Sequence, residues 1–486
     1  MKQLVLIFSL FNLFTTQLLA QTEPSFSSTL LGKSLTLQQE KVYLSFDKPY
    51  YSVGETMWFK VFAADATTHA TDTISSVLYV DFIDETSNRL IAQHKLKIVD
   101  GTASGSYNTE GGKSGRLLVR AYTRWMRNLA NDYHFNKVIQ MYDATKAVAN
   151  LAPMPVVDNV QFFPEGGDLV EGLPCNVAFK ATDANGKGIA VKGVIADESG
   201  ATIVAFSDDF NGMGRFTLKP EAGKKYTEKV ETATKSFNLP TVLTNGLAIT
   251  VDNSKPDLPI RLFVYLNYAV DKMPASFTVL AHQRGKVGFA NQVVVKDKAN
   301  FKTFRGAIPR ANFEEEGIVT LTVFDDKGTP LAERLVFLEN KKRQLNVSFT
   351  TDKTTYNKRE QVTVNVQTTD ANGKPTAANV SFGVINSDKV STPQYSEDLR
   401  AYLLLSSDLR GTIEKPSFYF EDTTSTGRRA LDNLLMTQGW RRFAWQKVLA
   451  GKSDTVKYLQ EFGMSVNAAL YKKKQAVADA RRCSFR

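Results

Sequence analysis

The sequence of 486 residues contains little cysteine and little histidine, 2 and 4 residues respectively. These residues are Cys175, Cys483, His69, His94, His134 and His282. No two histidines follow a metal-ligand spacing such as H-x-x-x-H, so no metal site is predicted. The two cysteines lie in segments that we assign to different domains, and we expect both to be unpaired. The fold must therefore rest on its hydrophobic cores.

Catalytic motifs are missing as well. The sequence has no G-x-S-x-G nucleophile elbow and no P-loop, and Gly112-Lys113-Ser114-Gly115 is interpreted as a turn. The adjacent carboxylates Glu314-Glu315-Glu316 do not have the alternating spacing of a calcium loop. Cys175 precedes an apolar strand, where a buried small side chain is expected rather than a nucleophile. We therefore predict no catalytic, cofactor-binding or metal-binding residues, and we expect that the chain is not an enzyme.

Long blocks of one charge are also absent. The net charge is +10, but the basic residues are spread along the chain, with only short clusters such as Lys341-Lys342-Arg343 and Lys472-Lys473-Lys474. A basic composition of this kind is typical of a solvated surface. No nucleic-acid partner is expected.

One apolar run is present, from Leu4 to Phe14. Lys2 precedes the run, and Thr15-Thr16-Gln17 and Leu18-Leu19-Ala20 follow it. This layout predicts a signal peptide, residues 1–20, cleaved between Ala20 and Gln21. A membrane anchor is the alternative, but a spanning helix needs about 20 apolar residues. We expect a flexible leader at 21–36 and an exported mature chain without a transmembrane segment, in the periplasm or associated with the outer membrane or extracellular.

A repeated unit organises the rest of the chain. Residues 42–62 read VYLSFDKPYYSVGETMWFKVF, an alternating strand, a polar turn and a second alternating strand. Residues 347–367 read VSFTTDKTTYNKREQVTVNVQ and keep the same spacing of Asp, Lys, Tyr and Glu. The apolar side chains of one strand face are preserved between the copies, whereas those of the other face differ. This pattern predicts two copies of one β module.

Turn signals divide the chain into β domains. Asn-Gly turns at 183–187 and 370–374 separate alternating runs and predict hairpins. Helical spacing is found only near 396–440. The fold class predicted is all-β, with tandem antiparallel β-sandwich domains and a small helical insertion, which we expect to pack on the fourth domain. The predicted domains cover 37–147, 155–240, 241–340 and 344–460, followed by the start of an incomplete fifth β domain at 461–486.

The last predicted domain stops after one hairpin, near Arg481. A lone hairpin buries too little surface to be stable. We therefore expect that the sequence is truncated or frameshifted relative to a longer parent.

An aromatic and basic cluster follows the helical segment. It consists of Trp440, Arg441, Arg442, Phe443 and Trp445. Such residues are typical interface anchors, so a protein interface is one interpretation. The alternative is that both tryptophans pack beneath the helices.

The first copy of the repeat resembles the macroglobulin-like domain of the alpha-2-macroglobulin superfamily. The signature residues are Asp47, Lys48, Tyr51, Gly54 and Glu55. In the second copy Arg359 replaces the glycine. Four further stretches resemble a group of bacterial envelope proteins, at residues 163–167, 212–216, 332–337 and 403–441.

The resemblance implies immunoglobulin-like sandwiches of seven strands and about 100 residues. Members of the superfamily trap proteases with a bait segment and a Gly-Cys-Gly-Glu-Gln thioester. That thioester motif does not occur in this sequence. The segments Gly101–Gly115 and Thr423–Gly427 are the candidate bait loops. Longer bacterial relatives continue into a carboxypeptidase-regulatory-like domain and a TonB-dependent receptor plug.

We therefore expect a non-enzymatic, exported protein-binding module of macroglobulin type, with an endopeptidase-inhibitor function implied by the resemblance. Its expected partners are proteases or envelope components. The alternative is the periplasmic or surface part of a TonB-dependent outer-membrane uptake system.

Overall fold

The computed structural model describes residues 38–71, 74–143, 145, 156–231, 233, 235–340, 344–439, 445, 448, 455–466, 471–472, 475–476 and 483–484. The predicted signal peptide, including Ala20 and Gln21, and the leader lie outside these residues. The predicted all-β class is confirmed: tandem antiparallel sandwiches occupy most of the described chain, with a small helical segment near its end. No helix among the described residues is long and apolar enough to cross a membrane.

The first domain consists of two sheets. Its strands are β1 (Glu40–Phe46), β2 (Tyr50–Ser52), β3 (Thr56–Asp65), β4 (Val77–Asp84), β5 (Arg89–Lys97), β6 (Thr102–Asn108), β7 (Gly115–Thr123) and β8 (Phe135–Tyr142). Strands β1, β3 and β6 form one sheet, and the order β2-β8-β7-β4-β5 forms the other. Alternate residues of β1, β3, β4 and β7 point between the sheets, which makes a core that excludes water. Two short 3₁₀ turns, Trp125–Asn128 and Asn131–Tyr133, connect β7 to β8.

The second domain has two sheets of three strands and a short parallel pair. Its strands are β9 (Asn159–Pro164), β10 (Leu169–Val170), β11 (Cys175–Thr182), β12 (Lys192–Asp197), β13 (Thr202–Ser207), β14 (Met213–Leu218), β15 (Tyr226–Val230) and β16 (Val242–Leu243). The sheets have the orders β14-β11-β9 and β13-β12-β15, and β10 pairs with β16. The hairpin turn at 183–187 is closed by Asp183, whose Oδ1 accepts the N–H groups of Asn185 and Lys187.

The third domain packs a sheet of three strands against a sheet of four. Its strands are β17 (Gly246–Asp252), β18 (Ile260–Asn267), β19 (Ser276–Gln283), β20 (Lys286–Val294), β21 (Thr303–Ile308), β22 (Gly317–Phe324) and β23 (Pro330–Leu338), with a 3₁₀ turn at Arg310–Asn312. The orders are β17-β18-β21 and β20-β19-β22-β23. Every residue of β19 and β22 is buried. The face of the four-stranded sheet that points away from the three-stranded sheet must therefore also be covered by other parts of the chain.

The fourth unit contains much less regular structure. Strands β24 (Asn346–Thr351) and β25 (Val364–Thr369) form a hairpin, and residues 370–398 contain no helix or strand. The helical segment follows, with α1 (Leu399–Leu404), a 3₁₀ turn at Ser406–Asp408, α2 (Phe418–Glu421) and α3 (Ser425–Thr437). Two short pairs lie near the end, β26 (Ser465–Val466) with β29 (Cys483–Ser484), and β27 (Tyr471–Lys472) with β28 (Gln475–Ala476).

The helices do not pack where we expected. The prediction that they cap the fourth domain is wrong, because their apolar side chains pack against the other three domains. Tyr402 of α1 lies in the core of the first domain. Leu431 and Leu434 of α3 lie in a cluster with Met213 of the second domain and Phe337 of the third. An amphipathic helix buries its apolar face on whatever surface is complementary, and sequence alone does not reveal which surface that is.

Candidate functional site

The turn between β1 and β3 is built around Asp47. Its Oδ1 accepts the hydroxyl of Tyr51 at 2.5 Å and the backbone N–H of Trp58 at 3.0 Å. Tyr51 is fully buried, so burial raises the pKa of its phenol, and the acceptor Asp47 raises it further. The carboxylate thus ties the start of the turn to the strand that follows it.

A second pair of signature residues closes the same turn from the other side. Lys48 Nζ lies 2.7 Å from Glu55 Oε1, and Glu55 Oε2 accepts the N–H of Ser52 at 2.8 Å. Gly54 has a φ of 94°, a conformation that favours glycine. The signature residues Asp47, Lys48, Tyr51, Gly54 and Glu55 therefore hold the turn together, and we call them the clasp. Their contacts are structural and form no catalytic arrangement.

The second copy of the repeat makes the same contacts, through Asp352, Lys353, Tyr356, Asn357, Glu360 and Thr363. Asp352 Oδ1 accepts the hydroxyl of Tyr356 at 2.7 Å and the N–H of Thr363 at 2.9 Å. Lys353 pairs with Glu360. Arg359, at the position of the glycine, also has a positive φ of 63°. The similarity between the two segments therefore extends to their hydrogen bonds.

The two copies differ in what covers their apolar face. In the first domain Val42, Leu44, Met57 and Val61 are each 0% exposed, because the sheet containing β4, β7 and β8 packs against them. The equivalent side chains of the second copy are between 45% and 68% exposed. They are Val347, Phe349, Val362 and Val366, which we call the open face. Among the described residues no second sheet covers it.

The helical segment joins the first domain to the third through Asp408. Its Oδ1 lies 2.9 Å from Lys41 Nζ of β1, and its Oδ2 lies 3.1 Å from Arg284 Nε in the β19–β20 turn. All three side chains are at most 6% exposed. Lys41 also donates to the carbonyl of Leu403 at 2.7 Å. One buried carboxylate therefore holds cations from two domains.

A second buried network joins the second and third domains to α3. Arg334 of β23 donates to Glu165 at 3.1 Å and to Asp432 at 2.5 Å, and Asp432 also pairs with Arg215 of β14. Burial opposes ionisation of Asp432, but the charges of Arg334 and Arg215 outweigh it and hold the pKa of Asp432 below its usual value. The side chains of Arg334 and Glu165 are 2% exposed. A buried charge needs such partners.

All four of these residues lie in the stretches noted in the sequence. Glu165, Arg215 and Arg334 lie in 163–167, 212–216 and 332–337, and Asp432 lies in 403–441. Sequence reasoning did not bring them together, because Glu165 and Arg334 are 169 residues apart. Asp408 and Asp432 lie within the stretch 403–441, but sequence reasoning assigned neither of them a role. A charged residue among apolar residues of a helical segment was the available signal for such a role.

A cleft of about 570 Å³ opens beside this second network, between the second domain, the third domain and α3. Its apolar floor is formed by Phe216, Val251, Phe337, Leu431 and Leu435. Its charged lining contains Arg215, Arg310, Arg428, Arg429, Asp252, Glu339 and Asp432. We call it the arginine cleft.

Both candidate bait loops contain regular structure. About half of Gly101–Gly115 is strand β6, which pairs with β3 along its length, and residues 110–115 are exposed throughout. Thr423–Gly427 is the beginning of α3, where Thr424 caps the helix by accepting the N–H of Gly427. A Cβ atom on Gly427 would lie 2.0 Å from the carbonyl oxygen of Asp422. Only Gly427 of this segment is buried, and Ser425–Gly427 already belong to α3, so the segment is an exposed helix N-terminus and its role as a bait stays a prediction.

The predicted aromatic and basic interface is only partly described. Trp440, Arg441, Arg442 and Phe443 lie outside the described residues. Trp445 is 2% exposed, packs edge-on against Phe324 and donates its indole N–H to Glu333 at 3.2 Å. Trp445 is thus a core residue that covers the outer face of the third domain, and it is not available as a surface anchor.

The histidines and Cys175 have structural surroundings. Burial lowers the pKa of His134, which stacks on Tyr122, to about 4. His94 packs edge-on against Phe82, and His282 against Trp445. Cys175 is free and buried, and burial raises the pKa of its thiol to about 12. In the part of the chain that the structure describes, no cluster of three or more metal-ligating side chains is present.

Comparison with known proteins gives a weak likeness in structure. No family model and no curated protein matches the sequence. An E. coli alpha-2-macroglobulin activated by porcine elastase is similar over 70% of this chain and 34% of its own, at 12% identity and a TM-score of 0.25. Dimeric latent PorU from Porphyromonas gingivalis is similar over 62% of this chain and 34% of its own, at 12% identity and a TM-score of 0.25.

A Salmonella alpha-2-macroglobulin is similar over 68% of this chain and 25% of its own, at 10% identity and a TM-score of 0.19. This chain therefore spans about a third or less of the length of these structures. At such TM-scores and identities the likeness decides neither family nor activity.

Proposed function

We propose that this chain is an exported, non-enzymatic protein-binding module of the macroglobulin type. Its partners are endopeptidases or envelope components, and it inhibits endopeptidases without trapping them covalently. The observation that carries the proposal is the open face, an apolar surface whose counterpart in the first domain is completely buried. Contiguous exposed apolar surface on a folded protein is typical of a protein interaction site.

The open face offers a useful part of a binding free energy. Burying a Val or Phe side chain is worth about 1.5–3 kcal/mol relative to full exposure. Four side chains that are about half exposed would contribute about half of that each, so about 3–6 kcal/mol together on binding. Association also has an entropic cost. For micromolar affinity, contacts around the edge of the open face must therefore supply the rest of the binding free energy.

The joined domains supply a firm support for this surface. The fourth unit contacts the first domain, where Lys60 donates to the carbonyl of Val380 at 3.3 Å and Tyr50 accepts the N–H of Ser391 at 3.1 Å. The first domain is in turn held to the third through Asp408. A partner bound at the open face would therefore meet a preorganised array, which lowers the cost of binding.

Inhibition by this route would be steric. A protease held by a bulky chain loses access to protein substrates, whereas a small peptide substrate still diffuses to its active site. The test mixes residues 21–486 with a serine, a cysteine and a metallo-endopeptidase. Complex formation is measured by size-exclusion chromatography with light scattering, and cleavage is measured with casein and with a tripeptide anilide.

The expected result is a complex with at least one endopeptidase, with slower casein cleavage and unchanged tripeptide cleavage. Phe349→Lys combined with Val366→Lys should abolish both the complex and the slowing of casein cleavage. Ile203→Lys, at an exposed apolar residue of β13, is the matched control and should leave both unchanged. Binding that survives the double substitution, or no binding to any of the three classes, would overturn the proposal.

A further inference from the structure

We propose that the arginine cleft binds a peptide segment that carries a carboxylate beside an apolar side chain. None of the residues that line the cleft belongs to the open face, so this inference does not depend on the proposed function. Its volume of about 570 Å³ is within the usual range for ligand sites, about 300–1,000 Å³. Its lining combines an apolar floor with convergent charged groups, as ligand sites commonly do.

The arginines of α3 are arranged to receive a carboxylate. Arg428 donates through Nε to Glu339 at 3.3 Å, and Arg429 donates through Nε to Asp209 at 2.8 Å. A guanidinium carries five N–H donors. In the contacts that the structure describes, the terminal nitrogens of both side chains are left for a ligand. Two such nitrogens form the paired hydrogen bonds that fit a planar carboxylate.

The orientation of these guanidinium groups is fixed before a ligand arrives. Glu339 and Asp209 each hold one arginine by its Nε, and both arginines lie on one helix, α3. Fixing a donor in place reduces the side-chain entropy that binding would otherwise cost. The remaining exposure of Arg428 and Arg429, 41% and 46%, leaves their ends accessible to solvent and to a ligand.

Available hydrogen-bond donors, rather than net charge, favour an anion over a cation in the cleft. Four arginines and three carboxylates line it, and Asp209 beside it neutralises Arg429. Each carboxylate already has a cationic partner: Asp432 has Arg334 and Arg215, Glu339 has Arg428, and Asp252 has Arg261. An incoming cation would therefore compete with formed ion pairs, whereas an incoming anion meets donors that are still available.

The apolar floor requires a second feature of the ligand. The base of the cleft is formed by the exposed edges of four largely buried side chains, those of Phe216, Phe337, Leu431 and Leu435. Covering this base with an aromatic or aliphatic side chain removes apolar surface from water. A free C-terminus after an apolar residue and an acidic side chain near an apolar residue both present this chemistry.

The experiment uses isothermal titration of residues 21–486 with three acetylated peptides. The first is Ala-Ala-Ala-Leu-Phe with a free C-terminus, the second is the same peptide amidated, and the third is Ala-Ala-Glu-Leu-Phe amidated. We expect the first or the third to bind at least tenfold more tightly than the second. Binding by the first alone identifies a terminal carboxylate, and binding by the third alone identifies an acidic side chain.

Variants locate the binding. Arg428→Gln with Arg429→Gln should weaken binding of the tightest peptide at least tenfold. The urea midpoint should change little, because both ion pairs are partly exposed and such pairs contribute little to stability. Arg410→Gln, on the same helical segment but outside the cleft, is the matched control and should bind like the parent chain. The proposal is overturned if no peptide binds, if the neutral amidated peptide binds equally well, or if the double variant keeps full affinity.

Discussion

Replacing Arg334 with methionine removes the centre of the buried network at α3. Methionine fills a similar volume but donates no hydrogen bond. Glu165 then keeps Asn176 Nδ2 at 2.8 Å and Val251 N–H at 3.0 Å as partners, but loses its cation. Asp432 keeps only Arg215 as a partner for its charge. Glu165 remains shielded from water, whereas Asp432 is 25% exposed and is partly solvated from the cleft.

The magnitude follows from these remaining partners. Removing one member of a buried ion pair typically costs about 3–5 kcal/mol, because the other charge stays buried without compensation. Since Glu165 retains two donors and Asp432 retains one arginine, we expect the lower end, about 3 kcal/mol. Adding Glu165→Gln removes the unpaired charge while keeping the side-chain shape. Its amide oxygen can accept the N–H of Val251, and its amide nitrogen requires the Asn176 amide to turn its oxygen towards it. The double variant should therefore be more stable than Arg334→Met alone, by about 1 kcal/mol or more.

The assay is urea unfolding followed by tryptophan fluorescence, with Arg116→Gln as the control. Arg116 pairs with Glu85 at the surface and is 60% exposed, so its loss should cost less than about 1 kcal/mol. Hydrogen exchange of α3 should accelerate in Arg334→Met. A loss no larger than that of the surface control, or additive effects in the double variant, would refute the argument for a buried network that joins the domains.

Three further predictions concern the clasp, a histidine and the free cysteine. Asp47→Ala should destabilise the chain by about 2–3 kcal/mol in urea unfolding, whereas Asp352→Ala should cost about 1 kcal/mol or less, because water can replace the exposed copy's hydrogen bonds. Equal losses would contradict this. The folded pKa of His134, about 4, lies below its unfolded value, so its contribution to stability is complete above about pH 6.5 and declines as the pH falls towards 4. Between pH 7 and pH 4, the free energy of unfolding in urea should fall by about 3 kcal/mol less in His134→Phe than in the parent chain. An identical fall in both chains would show that His134 does not cause this pH dependence. In a Cys483→Ser background, Cys175 should react with a thiol reagent only in denaturant, since its pKa of about 12 leaves little thiolate, and labelling of the native chain would count against its burial.

The parts of the fold that the sequence predicts depend on local contacts. The clasp joins residues that are at most 11 positions apart, such as Asp47 and Trp58. Its spacing therefore survives in the sequence and can be recognised twice. The same is true of the hairpin turn at 183–187, where Asp183 bonds within four residues. Strand alternation likewise records which face is buried.

The placement of the helical segment could not be predicted in this way. Asp408 meets Arg284 across 124 positions, and Arg334 meets Asp432 across 98. A charged residue within an amphipathic helix is usually solvated, and nothing in the local sequence marks the exceptions. Trp445 shows the same limit, because its aromatic character fits a surface anchor and a core residue equally well. The arginine cleft arises only from this docking and was not foreseen.

Hydrogen exchange of residues 21–486 without a partner tests the central claim, that one module is covered by a second sheet and its copy is open. The two hairpins have the same clasp, but β1 and β3 are covered by a second sheet, whereas no sheet among the described residues covers β24 and β25. If the second sheet stabilises β1 and β3 by about 3 kcal/mol or more, their amides should exchange at least about a hundredfold more slowly than those of the uncovered hairpin. We predict that amides of β24 and β25 exchange at least that much faster, and that a bound endopeptidase slows them. Equal protection of both hairpins in the free chain would contradict the account.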